Sequence, residues 1–113
     1  MIFKIYNTLG PGLLESAYEF AIIRELNKRG LKFKRQVGLP MYYDGDKLDI
    51  GYRIDFVVEN KVIIEVKSVE ALANTHHKQI ITYLRLSELK LGLLVNFNTD
   101  NIGNSIIRKV NNL

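Results

Sequence analysis

The sequence predicts an α/β or α+β fold in which helices pack on a mixed β-sheet. Three observations support this class. Helical patterns fill the first thirty residues, strand-like runs fill the middle of the chain, and a further helical segment precedes a last apolar run. With 113 residues, of which 47% are hydrophobic and 25% charged, the chain has the size and composition of one globular domain.

Two helices are predicted near the start of the chain. Residues 1–9 have helical character, and Gly10-Pro11-Gly12 ends this segment. Pro11 is expected in the first turn of a second helix, where its missing N–H would have no partner in any case. This second helix is predicted from about Leu13 to Arg29, because Gly30 after two basic residues is a typical C-terminal signal.

Strand-like runs follow. Residues 31–41 hold β-prone side chains and one proline, which indicates an edge strand. Asp44-Gly45-Asp46 predicts a turn. Residues 50–58 and 62–66 are strand-like and only three residues apart, which predicts a β-hairpin.

The last third of the chain returns to helical character at residues 75 to about 88. Residues 91–97 form a nearly continuous apolar run, typical of a strand that is buried on both faces. Residues 102–113 are ambiguous between a strand and a short helix.

The composition excludes several classes of protein. There are no cysteines, so disulfide scaffolds, thiolate zinc sites and cysteine nucleophiles are excluded. No run of about 18 apolar residues is present, and Met1-Ile2-Phe3-Lys4 does not begin a signal peptide. We therefore expect a cytoplasmic protein without a membrane partner. The net charge of +4 is compatible with a polyanionic partner but does not establish one.

The segment from Asp55 to Lys67 carries the most chemistry. Glu65 and Lys67 are two residues apart on a strand, so their side chains share a face, while the apolar neighbours of Glu65 point to the other face. A three-residue connection pairs Val58 with Val62 and places Asp55 directly opposite Glu65. A two-residue loop would instead place Asp55 on the other face.

Two facing carboxylates repel each other, so a positive charge is expected between them. Lys67 can supply part of it, and Mg²⁺, which prefers oxygen ligands, can supply more. A Mg²⁺ held by Asp55 and Glu65 beside a lysine suits phosphodiester hydrolysis. The alternative interpretation is that Glu65 and Lys67 belong to an ordinary solvated strand face.

Helical side chains offer further candidates. Glu15 lies at the edge of an apolar helix stripe and could reach the sheet as a third metal ligand, although an acid at a helix N-terminus is also explained by the helix dipole. Glu25 is equally close to that stripe and has no chemical role that we can assign. Gln79 and Tyr83 share one helix face and could contact phosphate or the attacking water, or form a structural pair. Tyr18 is expected to be a core aromatic residue with its hydroxyl at the rim.

These residues resemble a known family. The segment from Gly12 to Tyr18 matches the G-x-x-E-x-x-Y signature of the small GxxExxY proteins, which are counted among the PD-(D/E)xK nuclease-like superfamily. The similarity covers nearly the whole chain, through Leu9-Gly10-Pro11-Gly12, Glu25-Leu26, Asp55, Glu65-Val66-Lys67, Gln79, Tyr83-Leu84 and Gly92-Leu93-Leu94-Val95-Asn96-Phe97.

The resemblance implies a restriction-endonuclease-like core, a mixed central sheet flanked by helices, in one domain over residues 1–113. It also implies that Asp55 and Glu65 bind Mg²⁺, with Mn²⁺ as a substitute. Glu15 would be the helix acid that completes the metal site, and Lys67 the catalytic lysine. Gln79 and Tyr83 would be supporting residues, so all six positions hold the expected residue type.

The expected function is therefore that of a Mg²⁺-dependent nuclease that acts on DNA. The alternative is a nucleic-acid-binding or protein-interaction module that keeps this fold without turnover. Because so small a nuclease has no room for a separate recognition domain, a homodimer or a partner subunit is expected.

Overall fold

The computed structural model describes residues 1–48 and 51–112 and shows a mixed sheet with helices on both faces, which confirms the predicted fold class. The elements of the described residues are α1 (Ile2–Leu9), α2 (Glu15–Lys28), β1 (Phe33–Gly38), β2 (Met41–Tyr43), β3 (Asp46–Leu48), β4 (Arg53–Val58), β5 (Val62–Lys67), α3 (Asn74–Ser87), β6 (Leu91–Asn96), a 3₁₀ helix (Ile102–Ser105) and β7 (Ile106–Val110).

Five strands form the main sheet in the order β1-β4-β5-β6-β7. Among the strands of the described residues, only the β5–β6 pair is parallel, and α3 makes the crossover between these two strands. The remaining three pairs are antiparallel. Strands β1 and β7 are the two edges, which confirms the predicted edge strand over Phe33–Gly38, whereas Met41, the predicted end of that strand, belongs to β2. Strands β2 and β3 form a separate two-stranded ribbon.

Each face of the sheet is covered by a different helical layer. Helices α1 and α2 pack on one face, where Tyr18 is fully buried and stacks on Phe97 with 4.3 Å between the ring centroids. Helix α3 packs on the other face, where Ile80 and Leu84 contact the sheet. Because β6 lies inside the sheet and contributes to both layers, the strand predicted for residues 91–97 is confirmed as a buried one.

The start of α2 differs from the prediction. The helix begins at Glu15, so Pro11 lies in the preceding loop and not in a first helical turn. The Tyr18 hydroxyl ties this loop down by donating to the Gly10 carbonyl at 2.6 Å and accepting from the Leu13 N–H at 3.2 Å. Tyr18 is therefore a core aromatic residue, as predicted, but its hydroxyl is covered by this loop and does not lie at an exposed rim.

The middle of the chain contains one element that was not predicted. Strand β1 ends at Gly38, and the chain then forms the β2–β3 ribbon, whose turn has Asp44 and Gly45 at φ 51° and 82°. The turn itself was predicted. The predicted strand start at residue 50 lies outside the described residues, and β4 begins at Arg53.

The end of the chain resolves the ambiguity between helix and strand by forming both, first the 3₁₀ helix and then β7. Residue 113, the predicted end of this segment, lies outside the described residues. Within the described ranges, no helix is long and apolar enough to cross a bilayer.

Candidate active site

The β4–β5 hairpin has the register that the sequence predicts. Three residues connect the strands, and the Cα partners are Val58 with Val62, Val57 with Ile63 and Phe56 with Ile64. The next positions along the two strands are Asp55 and Glu65. The two acids therefore face each other at the end of the hairpin that lies away from its loop.

At these two acids, carboxylates replace the regular backbone ladder. The Asp55 N–H donates to Glu65 Oε2 at 2.7 Å, and the Val66 N–H donates to Asp55 Oδ2 at 2.8 Å. Each carboxylate thus accepts a backbone N–H of the opposite strand, and the described ladder ends at Phe56. This exchange holds both side chains in place and leaves Asp55 Oδ1 and Glu65 Oε1 outside the two hydrogen bonds.

Burial dominates the electrostatics of this pair. Glu65 is only 3% exposed. Burial, followed by the charge of Asp55, raises the pKa of Glu65 to about 8. Burial also raises the pKa of Asp55, against the opposing effects of the Val66 N–H and of Lys67. When both acids are ionised, the groups around them therefore do not balance their two negative charges.

Lys67 lies at the end of β5, and its charge lowers the pKa of both acids. One half-buried lysine does not balance two carboxylates, so a divalent cation fits the pair. Mg²⁺ is commonly bound by one or two carboxylates and keeps several waters, which matches this donor set. In the described part of the chain, no group of three or more His, Cys, Asp or Glu residues is arranged as a metal site.

Glu15 stands apart from this pair. It is exposed in the first turn of α2, and its charge raises the pKa of Glu65 across the space between helix and sheet. The structure thus brings Glu15 into the electrostatic environment of the site. Its predicted role as a third metal ligand stays a prediction.

Glu19 is a site residue that the sequence reasoning missed. It lies one turn after Glu15, and its Oε1 accepts from Gln36 Nε2 at 3.1 Å and lies 3.5 Å from Arg35 Nη2. Burial, followed by the charge of Asp55, raises the pKa of Glu19. The signal that could have found it is the i, i+4 spacing from Glu15, which places both acids on one helix face.

Gln36 was also missed. Its neighbours pair as Arg35 with Phe56 and Val37 with Ile54, so Gln36 stands opposite Asp55 on the edge strand β1. Its backbone has φ 49°, in the left-handed region that a residue with a side chain rarely adopts. Besides its bond to Glu19, the Gln36 side chain contacts Asp55 and lowers the pKa of that acid, which burial raises.

At the strained backbone of Gln36, the inward side chains of β1 and β4 switch from one face of the sheet to the other. Arg35 stacks over the ring of Phe56, 5.6 Å from its centroid, on the face covered by α2. Val37 and Ile54 instead pack in the cluster beneath α3. The strict alternation of a strand is therefore interrupted at Gln36 and Asp55. Strained residues of this kind cluster at functional sites.

Helix α3 contributes Tyr83 and Gln79. Tyr83 is 4% exposed. Burial, followed by the charges of Glu65 and Asp55, raises the pKa of its hydroxyl to about 12, so it stays a neutral donor at physiological pH. Gln79 lies one turn earlier and lines the same hollow as Tyr83. The structure thus sets Tyr83 beside the acids and Gln79 beside Tyr83.

Comparison with known proteins agrees with this architecture. The family model of the PD-(D/E)XK nuclease superfamily matches residues 1–109, a range that includes every residue of the candidate site. No curated protein and no solved structure matches the chain significantly. The match confirms the predicted resemblance at the level of the superfamily.

Proposed function

Because this chain belongs to the PD-(D/E)XK nuclease superfamily, we propose that it is a Mg²⁺-dependent nuclease that hydrolyses phosphodiester bonds in DNA. Within the superfamily we assign it to the GxxExxY proteins, on the motif that Gly12, Glu15 and Tyr18 form. The observation that carries the proposal is the pair of carboxylates at Asp55 and Glu65, each of which is fixed by a backbone N–H of the other strand, and whose two negative charges Lys67 balances only in part.

In this proposal Asp55 and Glu65 hold the cation, either Mg²⁺ or Mn²⁺, and Glu15 adds negative charge from α2. When bound, the ion would supply charge neutralisation at the phosphate and a more acidic water. Glu19 and Gln36 act behind Asp55 as positioning residues, because the Gln36 side chain contacts Glu19 on one side and Asp55 on the other. Such supporting contacts commonly orient metal ligands.

The remaining side chains act on the phosphate. The Lys67 ammonium stabilises negative charge that develops during hydrolysis, or orients the attacking water. Tyr83 donates a hydrogen bond without losing its proton, because its pKa is raised to about 12 by burial and by the two acids. Gln79, one helical turn away, offers an amide to the same phosphate.

The setting of the site also enters the proposal. A net charge of +4 is compatible with DNA as the partner. We also propose that a second copy or a partner subunit shares the task of substrate recognition. We place the protein in the cytoplasm, in line with its lack of cysteines.

The test is cleavage of supercoiled plasmid, single strands, a branched junction and RNA, each with Mg²⁺, with Mn²⁺ and with EDTA. Glu65→Ala removes the most buried acid of the site, and Glu70→Ala, at an exposed position three residues after Lys67, is the matched control. We expect metal-dependent cleavage of DNA in the wild type and the control, and none in Glu65→Ala.

Two outcomes would contradict the proposal. Cleavage that survives Glu65→Ala would come from another site or another protein. Binding of nucleic acid without cleavage under any condition, unaffected by metal and by Glu65→Ala, would identify a binding module on the same fold.

A further inference from the structure

A hollow with a volume of about 210 Å³ opens beside the candidate active site. Its walls are Met41, Tyr52, Gln79, Thr82, Tyr83 and Leu86. Tyr83 links this hollow to the acids, since the charges of Glu65 and Asp55 act on its hydroxyl. A group bound here would therefore contact two residues of the candidate active site, Gln79 and Tyr83.

The hollow has the chemistry of a site for a flat ring. Two tyrosine rings, a methionine and a leucine supply apolar walls, while Gln79 and Thr82 supply hydrogen-bond donors and acceptors. Tyr52 is 37% exposed, so part of its ring is open to contact. Pockets for whole drug-sized molecules measure roughly 300–1,000 Å³, so this smaller hollow suits a single ring system such as one nucleobase.

A second hollow also includes Tyr52 in its walls. It has a volume of about 330 Å³, and Tyr52, Arg53 and Lys47 contribute to its walls. Lys47 and Arg53 are both exposed, and cations at such positions attract phosphates. Tyr52 thus belongs to two hollows. The first is apolar with amide and hydroxyl groups, and the second carries cationic side chains. One nucleotide, which joins a base to a phosphate, has the same two-part chemistry.

The β2–β3 ribbon continues this surface. Tyr42 and Tyr43 are 65% and 72% exposed, far more than core tyrosines such as Tyr18. Tyr42 pairs with Lys47 across the ribbon, so an aromatic ring and a cation share one face. Exposed rings interleaved with cations form the stacking surfaces that bind single-stranded nucleic acids. A duplex keeps its bases stacked inside and cannot offer them to these rings.

We propose that the hollow at Tyr52 binds an unpaired base of a single-stranded nucleic acid, while Lys47 and Arg53 hold a neighbouring phosphate. The substrate of the nuclease is then single-stranded, or carries an unpaired segment at the point of cleavage. This substrate class rests on the proposed function, whereas binding of the base requires neither metal nor turnover.

The experiment measures binding in EDTA by fluorescence anisotropy. The probes are a labelled thymidine strand of about 12 nucleotides, a duplex of the same length, and an abasic strand with the same number of phosphates. We expect Tyr52→Ala to weaken binding of the thymidine strand by roughly 10–100-fold, and Tyr52→Phe to bind nearly as wild type, because stacking needs only the ring. Phe20→Ala, which removes a 67% exposed ring on α2, is the matched control and should bind as wild type.

Two further variants separate base from charge. Thr82→Phe fills the hollow while Tyr52 stays intact, so it should weaken binding of the thymidine strand as Tyr52→Ala does. Lys47→Ala should weaken binding of all three probes and reduce the dependence of affinity on salt. The melting temperature of each variant shows whether it is folded.

The proposal is overturned if folded Tyr52→Ala and Thr82→Phe bind the thymidine strand as wild type, or if the duplex and the abasic strand bind as tightly. Cleavage assays keep this result apart from the proposed function. Strand binding that depends on Tyr52 in a protein that cuts nothing would support the base site and contradict the nuclease. Cleavage of duplex that Tyr52→Ala leaves unchanged would support the nuclease and contradict the base site.

Discussion

Two buried glutamates, Glu25 on α2 and Glu65 on β5, have opposite surroundings. Glu25 is 7% exposed and has three cations around it. Its Oε2 lies 3.0 Å from Lys4 Nζ and 3.7 Å from Lys28 Nζ, and its Oε1 lies 3.5 Å from Arg29 Nη2. The hydrogen bond from Lys4 is the main cause that lowers the pKa of Glu25.

Glu65 is 3% exposed, and its carboxylate accepts a hydrogen bond from the uncharged backbone N–H of another acid, Asp55. Among the described residues, no ion pair within 4.0 Å includes Glu65. Its pKa is raised to about 8 by burial and then by Asp55. The chain thus supplies the counter-charge for Glu25 itself, partly through Lys4 on α1. In the proposed function, a bound metal ion supplies the counter-charge for Glu65. The first acid stabilises the fold and the second is suited to binding and chemistry.

The largest expected effect concerns stability and pH at Glu65. Because its folded-state pKa is raised from 4.5 to about 8, its contribution to stability is complete below pH 4.5 and is lost as the pH rises to about 8. At about 1.4 kcal/mol per pKa unit, the free energy of unfolding of the metal-free protein should fall by roughly 3–5 kcal/mol over this range. Denaturant titrations of wild type and Glu65→Gln measure it, and the variant should lack most of the fall.

The same experiment has a metal arm. At pH 8, Mg²⁺ should raise the melting temperature of the wild type and leave Glu65→Gln unchanged, because the ion stabilises only the ionised pair. If the free energy of unfolding of the wild type did not change with pH and its melting temperature did not respond to Mg²⁺, Glu65 would not differ from Glu25 in lacking a counter-charge.

The next effect compares two lysines. Lys67→Ala should lower the rate of cleavage by roughly 100–1,000-fold, the typical cost of losing one group that stabilises charge in a transition state. Lys4→Ala, which removes the lysine next to Glu25, should leave the rate unchanged. Single-turnover cleavage with saturating protein measures both variants. Equal losses in the two would mean that Lys67 acts through general charge and not at the site.

A smaller effect is expected at the strained residue behind Asp55. Gln36→Gly keeps the left-handed backbone but removes the amide that contacts Glu19 and Asp55, so metal affinity should fall by roughly 10–100-fold. Asn60→Gly is the control, because Asn60 has a similar φ of 53° in the hairpin loop at the other end of the strands. Calorimetric titration with Mn²⁺ gives both affinities. An unchanged affinity in Gln36→Gly would leave Gln36 with a structural role only.

The smallest effect belongs to Glu25. Glu25→Gln should lower the melting temperature modestly, because its partners are near the surface, and should leave cleavage intact. Since the pKa of Glu25 is lowered, its stabilisation is present above the ordinary glutamate pKa and is lost as the pH falls through the lowered value. The variant and the wild type should therefore converge in stability in acid. Loss of cleavage without loss of stability would show that Glu25 also serves the site.

The parts of the site that the sequence predicts are those set by local geometry. A three-residue connection and a two-residue period place Asp55 opposite Glu65, and both can be read from one short segment. Gln36 could not be found this way, because the β2–β3 ribbon separates β1 from β4 in the chain and no loop length fixes their register.

Helical periodicity was informative to a similar degree. It places Glu15 and Glu25 near the apolar face of α2, but it does not say which turn of the helix lies over the acids of the sheet, and so Glu19 was missed. Burial of Glu25 follows from the periodicity, whereas its ion pair with Lys4 depends on how α1 packs against α2. Pro11 was assigned to a helix because local preference favours it there, and the hydrogen bonds of Tyr18 to the loop determine otherwise.

The two outer strands of the sheet have a consequence for the behaviour of the protein in concentrated solution. Exposed edges invite strands from other molecules, and natural proteins often block them with charged side chains. Lys34 and Arg35 lie on β1, and Arg108 and Lys109 lie on β7. Two molecules that aligned the same edge would bring like charges together, so growth of the sheet into aggregates is opposed at both ends. Added salt screens this repulsion, and any association through the edges should therefore increase with ionic strength.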